Sequence, residues 1–379
     1  MSNAPAPSRR TTRGWVVGHV AGAPVVLAPS WLIAVAVLTA LSVPAARILT
    51  GLDGSAVWFV ALAFVVLLFV SVFLHELAHG LVARARGQQP HEFVLTLWGG
   101  HTAFGGAAPT PATTALVAIV GPVVNLVLAA VFGGTLLLDL VPRGTVLWAL
   151  VWSGAVTNGF VGLFNLLPGL PLDGGRVLEA AVWAVTKNRY TGTVAAGWVG
   201  RVVAVAVVAW ALLGPLNAGA DSFGEIIWAV LIGAFLWSGA SASVRGARAQ
   251  RNVDGVTLAS VGRPVVTVGH GDSLAHAGAV AAAAGVQDVV VVAPDGRPAA
   301  YVDRTAAGSV PPQAAGSTPV TAVSVPLPVG ATIDGALVGQ ALLNDLARAT
   351  RLSPVVVALV DGRVAGLVSA RDVVAAIRA

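Results

Sequence analysis

The sequence contains no cysteine. Disulfides and thiolate-ligated zinc are therefore excluded, and any metal must be held by histidine and carboxylate. Charge is scarce as well. Only 10% of the 379 residues are Asp, Glu, Lys or Arg, and glutamate occurs only at Glu76, Glu92, Glu179 and Glu225. That is too little charge for the surface of a soluble enzyme. The net charge of +5 is modest. The arginines gather at the ends of apolar runs, which marks them as topology signals and argues against a nucleic-acid partner. What fills the chain is apolar: 56% of residues are hydrophobic and the mean hydropathy is +0.83. The composition predicts a polytopic membrane protein with room for one further domain.

Apolar runs of bilayer length, about 20 residues, fall at Ser30–Leu49, Ala56–Ala83, Thr113–Leu140, Thr145–Leu167, Gly192–Leu213 and Glu225–Val244. Six crossings put both termini on one side. Arg9, Arg10 and Arg13, then Arg84 and Arg86, then Lys187 and Arg189, then Arg245, Arg248 and Arg251 fall on that side, against Arg47 and Arg143 on the other. The positive-inside rule makes the crowded side cytoplasmic, so the expected location is the cell membrane with both termini in the cytoplasm. Residues 1–14, rich in Pro, Ala and Ser, are expected to form a disordered cytoplasmic tail before a membrane core over 15–250. The first apolar run begins late and VPAA at Val43–Ala46 is a poor cleavage site, which favours an uncleaved helix over a signal peptide.

The second run holds the most informative residues. Val66–Val82 reads VLLFVSVFLHELAHGLV, and its only ionisable groups are His75, Glu76 and His79. Each such group costs about 2.5–3.5 kcal/mol at the centre of a membrane helix. Chance produces the pattern in roughly one such chain in several hundred. Residues four apart share a helix face, so both imidazoles can bind one Zn²⁺ while Glu76 acts as general base. A satisfied polar cluster inside a helix bundle is the plainer alternative.

A catalytic zinc site needs a third protein ligand. Phe164–Arg176 reads FNLLPGLPLDGGR, in which Pro168, Gly169 and Pro171 break the helix. A broken helix lets Asp173 turn inward, and lets Asn165 hydrogen-bond a substrate backbone or a developing oxyanion. Asp173 can also cap the helix that follows; the upstream HExxH favours metal. Asn125, alone in GPVVNLVLA, is expected to bridge helices or support the site. Gln88–Pro111 reads as two short strands about a glycine turn beside the site, or as an ordinary loop. His101 in that segment is left out of the ligand set.

These residues resemble the site-2 protease family of intramembrane zinc metalloproteases, the M50-like peptidases. HELAHG (His75–Gly80) matches the family's first motif, FNLLPGLPLDGGR its second, and WGGHTAF (Trp98–Phe104) its membrane-associated β-hairpin. The resemblance covers about Ala28–Val244. It implies zinc held by His75, His79 and Asp173, Glu76 as base, and Asn165 close to the substrate carbonyl.

Beyond Arg251 the composition shifts to short strands and Ala-rich helices. The turns Pro294–Arg297 and Asp361–Arg363 recur in similar surroundings, which marks an internal repeat. The repeat resembles tandem CBS modules, a degenerate one over 253–310 and a second over 320–379. Gly366, Ser369 and Asp372 match the signature in which the acid holds a ribose hydroxyl, so ATP or another adenine nucleotide is an expected ligand. A ligand-free regulatory or dimerising domain is the alternative. The fold class expected is thus a polytopic α-helical membrane protein, six transmembrane helices with a membrane-associated β-hairpin, plus an α/β tandem CBS domain. The function implied is hydrolysis of peptide bonds in or near transmembrane segments of single-pass membrane proteins, anti-sigma factors among them. Membrane lipid and a homodimer through the CBS modules are expected partners. The competing reading is a CBS-regulated transporter or channel with the buried His, Glu and Asp as ion pathway.

Overall fold

Long apolar runs leave the backbone one economical way to satisfy its hydrogen bonds, and the computed structural model of the protein takes it. It describes residues 12–97, 99–104, 110–218, 223–369 and 371–372. Most of the expected N-terminal tail, Trp98, the Gly105–Gly106 pair and the last seven residues lie outside the described residues. Two compact units are formed, Met1–Ala247 and Arg248–Ala379.

The first unit carries β1 (Trp15–Val20), β2 (Ala23–Leu27), α1 (Ser30–Thr50), α2 (Gly54–Ala85), β3 (Pro90–Thr96), β4 (Gly99–Phe104), α3 (Pro111–Leu137), α4 (Val146–Asn165), α5 (Asp173–Thr186), α6 (Arg189–Ala218) and most of α7 (Phe223–Asp254). All six expected spans are helices long and apolar enough to cross a membrane: α1, α2, α3, α4, α6 and α7. The last runs on to Asp254, beyond the expected Val244. Threonines start two of them. The Thr110 hydroxyl accepts from the Thr113 N–H before α3, and Thr145 does the same for Trp148 before α4.

The expected hairpin is part of something larger. β3 and β4 pair antiparallel, but β3 also pairs parallel with β2, which pairs antiparallel with β1, giving a four-stranded sheet in the order β1-β2-β3-β4. The turn between β1 and β2 uses positive φ at Ala21 and Gly22. Phe93 of β3 is 1% exposed and packs so closely on α2 that a Cβ at Gly80 would collide with its ring. This fixes the sheet against the helix that bears His75, Glu76 and His79.

Between α4 and α5 the prolines do what they must. Leu166–Leu172 leaves the helix, passes through a cis Leu170–Pro171 bond, and anchors by the Leu170 N–H to the Ala196 carbonyl of α6 at 3.1 Å. The approach is tight because Gly169 and Gly200 face each other: a Cβ on Gly169 would lie 2.5 Å from Cα of Gly200. The break delivers Asp173 as the first residue of α5.

The second unit is the expected repeat. One copy holds β5 (Val265–Gly269), α9 (Leu274–Ala283), β6 (Asp288–Val292), β7 (Pro298–Val302) and α10 (Arg304–Gly308), preceded by the short α8 (Leu258–Val261). The other holds β9 (Thr332–Asp334), α11 (Gly339–Ala349), β10 (Val355–Val360) and β11 (Arg363–Ser369). Between them β8 (Ser324–Pro326) adds to the first sheet, order β5-β6-β7-β8; the second sheet is β11-β10-β9. Val290, Val357 and Leu367, nearly fully buried, pack the two sheets together.

Candidate metal centre

α2 places His75 and His79 one turn apart on its buried face, at 5% and 7% exposure. Their rings meet edge to face, 4.6 Å between centroids. The Nε2 atoms are 3.0 Å apart. Oδ2 of Asp173 lies 3.0 Å from Nε2 of His75 and 3.3 Å from Nε2 of His79. The residue at the cap position of α5 is Leu172, which has no side-chain acceptor to offer, and the Asp173 carboxylate faces the imidazoles.

The other ring nitrogens settle the tautomers. Nδ1 of His79 bonds the backbone carbonyl of Val117, which only accepts, so Nδ1 carries the proton. Nδ1 of His75 bonds Oδ1 of Asn125. That oxygen is free to accept because Nδ2 of Asn125 donates to Oδ1 of Asn158 at 2.8 Å. Asn158 in turn donates to Ser71 Oγ and to the Gly154 carbonyl. In neutral imidazoles so held, both Nε2 atoms present lone pairs to each other and to a carboxylate oxygen. Three such atoms at these distances are held together by a shared cation, whether a metal ion or a proton. The donor set, two imidazoles and a carboxylate with the rings oriented by acceptors behind them, fits a divalent ion of the zinc type.

The approach to α3 depends on Gly121. A Cβ there would fall within 3.0 Å of both His75 and His79 nitrogens. Glycine at this point lets the imidazoles reach Val117 and Asn125.

Glu76 and Asn165 share a cavity of about 470 Å³ with the two histidines and Asp173. Thr102 of β4 donates to Glu76 Oε2 at 2.9 Å and to the Glu76 carbonyl at 3.1 Å. The edge strand β4 forms one wall, with Gly99, Gly100 and Phe104. His101 is exposed on that strand and lines the same cavity, and it is not among the three clustered residues. Asn125, expected as a helix bridge or support, is both.

Asp372 belongs to the second unit. Its Oδ2 accepts from the Ser369 hydroxyl at 2.7 Å and pairs with Arg263 at 3.5 Å. Asp303 caps α10. Four contributors escaped the sequence reading: Ser71, Thr102, Gly121 and Asn158. Ser71 precedes His75 by one helical turn and shares its face, which was the one available signal.

The sequence pattern of peptidase family M50 matches residues 63–144 and 139–209, a stretch that includes the whole cluster. A Synechocystis protein named a zinc metalloprotease is 36% identical over 242 residues, 64% of this chain and 62% of its own length. The chain thus spans less than two thirds of that relative. A Bacillus subtilis protein of the same description is 30% identical over 203 residues, 44% of this chain and 91% of its own length. The solved site-2 protease of Methanocaldococcus jannaschii is 25% identical, covers 62% of this chain and 96% of its own, with a TM-score of 0.43. The CBS domain of a Sphaerobacter thermophilus membrane protein is 20% identical and covers 36% of this chain and 96% of its own, with a TM-score of 0.29. With the Bacillus relative matched over nearly its full length and the family pattern lying over the His–His–Asp cluster, the chain belongs to peptidase family M50.

Proposed function

We propose that this protein is an intramembrane zinc metallopeptidase that hydrolyses peptide bonds within or near transmembrane segments of other membrane proteins. The observation that carries the reading is the meeting of His75, His79 and Asp173 through their lone-pair atoms at one cavity. A zinc ion held by these three would supply Lewis acidity toward a scissile carbonyl. Glu76, on the same cavity, takes a proton from the attacking water and returns it to the leaving amine. Thr102 holds the Glu76 carboxylate in place. Asn165 donates to the substrate carbonyl as negative charge develops there.

A helical substrate cannot be cut until its backbone opens. Among the described residues β4 pairs on one side only, with β3, so its other edge can receive an extended segment as an added strand. The substrate class is a single-pass membrane protein, with anti-sigma factors as the first to try. Both termini lie in the cytoplasm, following the arginine distribution. The CBS pair regulates the membrane core. An adenine nucleotide there would have to win Asp372 from Ser369 and Arg263. Dimerisation through the CBS modules belongs to the same reading. Family membership favours hydrolysis over the ion-pathway alternative.

The test is metal analysis of purified wild type and His79→Ala, joined to cleavage of a single-span membrane peptide in detergent. Zinc near one per chain in wild type, lost in His79→Ala, and a cleavage product absent in Glu76→Gln are expected. Equal zinc in wild type and His79→Ala would overturn the ligand assignment. Ion flux in liposomes without any peptide product would favour the transporter.

A further inference from the structure

Arg201 breaks the pattern of arginines gathered at the ends of apolar runs. It sits twelve positions into the span that opens at Arg189, about 18 Å along α6. Its guanidinium lies 4.5 Å from the ring centroid of Trp198 and 5.4 Å from that of Trp237. Nε donates to Ser241 Oγ of α7 at 3.2 Å. Among the described residues no carboxylate pairs with it. Both tryptophans are about half exposed, at 52% and 47%, and so are Val202 and Val205 on the same face of α6. Together they line a shallow groove of about 330 Å³ between the two helices. A cation with most of its N–H donors unspent among the described residues therefore looks out at the hydrocarbon side of the helix pair.

The depth of this groove limits what can fill it. α6 and α7 run antiparallel: Gly197 backs onto Val244, and Gly233 onto Val208. Ser241 is one turn before the exposed Arg245, where the basic end of α7 begins. In this register the first turn of α6, Arg189–Thr193, stands level with Arg248–Asn252 at the basic end of α7, above Arg245, so Arg201 lies about one turn below the level of Arg245, within reach of the headgroup region for a long side chain. Tryptophans at this depth sit where interfacial aromatics gather, with an apolar body among acyl chains and a polar edge among headgroups. An unpaired guanidinium at the same level wants a phosphate oxygen. The exposed apolar wall below it wants acyl chain.

We propose that the Trp198–Arg201–Trp237 groove is a binding site for an anionic phospholipid, its phosphate on the Arg201 guanidinium and its acyl chain along Val202 and Val205. The site is independent of the peptidase reading, because no residue of the metal cavity takes part in it. It differs from the basic helix ends, which attract anionic lipid without geometry. Here one cation is fixed by Ser241 and by two rings, so a lipid is held at one place.

Native mass spectrometry of the full-length protein in detergent, with equimolar phosphatidylglycerol and phosphatidylcholine of matched chains, reads the preference directly. Wild type is expected to retain phosphatidylglycerol about fivefold more than phosphatidylcholine, the selectivity one cation supplies near a charged surface. Arg201→Gln should bring the ratio close to one. Trp198→Leu keeps the cation, tests the stacking should the Gln variant fail to fold, and should weaken the preference. A wild-type ratio near one overturns the proposal. So does a preference that survives in whichever of Arg201→Gln and Trp198→Leu folds, or one that persists in Arg201→Gln and falls in Arg245→Gln. Displacement of the lipid by millimolar inorganic phosphate would show a free-anion site and also overturns it.

Discussion

Nδ1 of His75 and Oδ1 of Asn125 are hydrogen-bonded in the buried interior between α2 and α3. The bond decides which nitrogen of His75 faces Asp173. Behind it the amide of Asn125 rests on Asn158, and Asn158 on Ser71, so three helices fix one ring. Asn125→Leu removes the acceptor and leaves Asn158 short of a donor. The expected result is a fall of about 10–100-fold in zinc affinity, the usual cost of losing a ligand's outer partner. Competition with a chromophoric chelator measures it. Unchanged affinity would mean that His75 holds its orientation without help. Asn158→Ala acts one step further away and should cost less.

Gly121 offers a second handle on the same ring pair. An added Cβ would stand within 3.0 Å of both Nε2-bearing edges. The imidazoles cannot retreat, because each is tied on its far side. Gly121→Ala is therefore expected to drop bound zinc well below one per chain while the helix content stays. Gly133→Ala, in the same helix with open space around it, is the control. Elemental analysis beside circular dichroism separates the outcomes, and full zinc occupancy in Gly121→Ala would refute the tight approach.

Glu76 is separable from the ligands. Glu76→Gln keeps the shape that rests on Thr102 and removes the base. Zinc content should stay at the wild-type level, and kcat should fall by about a hundred- to ten-thousand-fold. Thr102→Val leaves the base and frees its carboxylate. A smaller loss in kcat is expected there, with KM little changed. Loss of zinc in Glu76→Gln would mean that the carboxylate is a ligand and not a base.

The spans, and the cluster within them, were legible because both are local signals. A long apolar run has one stable backbone solution in a bilayer, and HExxH carries its own geometry in the helical repeat. Asp173 was legible because two prolines announce a break. β1 and β2 were not. WVVGHV and APVVL are short apolar segments like any helix entrance, and what makes them strands is Val25 pairing with Phe93, far along the chain. Asn158 and Ser71 escaped for a related reason. Each is one small polar residue in an apolar helix, and only the packing of α2, α3 and α4 joins them into a chain to His75. Arg201 was passed over because a lone arginine carries no partner in its spacing.

In the second unit, Asp345 of α11 ties that helix to β9. Its carboxylate accepts the Asp334 N–H at 3.0 Å and the Arg348 guanidinium at 2.6 Å. Burial pushes its pKa up, but the backbone N–H of Asp334 and the Arg348 charge outweigh it and hold the carboxyl below the usual carboxylate range. A group depressed on folding contributes stability that is present above its unfolded pKa, about 3.9, and is lost as pH falls through the folded value. Amide exchange over β9 and α11 in the full-length protein should thus be slow near neutral pH. After correction for the intrinsic exchange rate, protection should fall in acid below about pH 4. Asp345→Asn cannot titrate. It should show weaker protection at neutral pH and lose less of it on acidification. Equal acid dependence in the two proteins would assign the transition to another group.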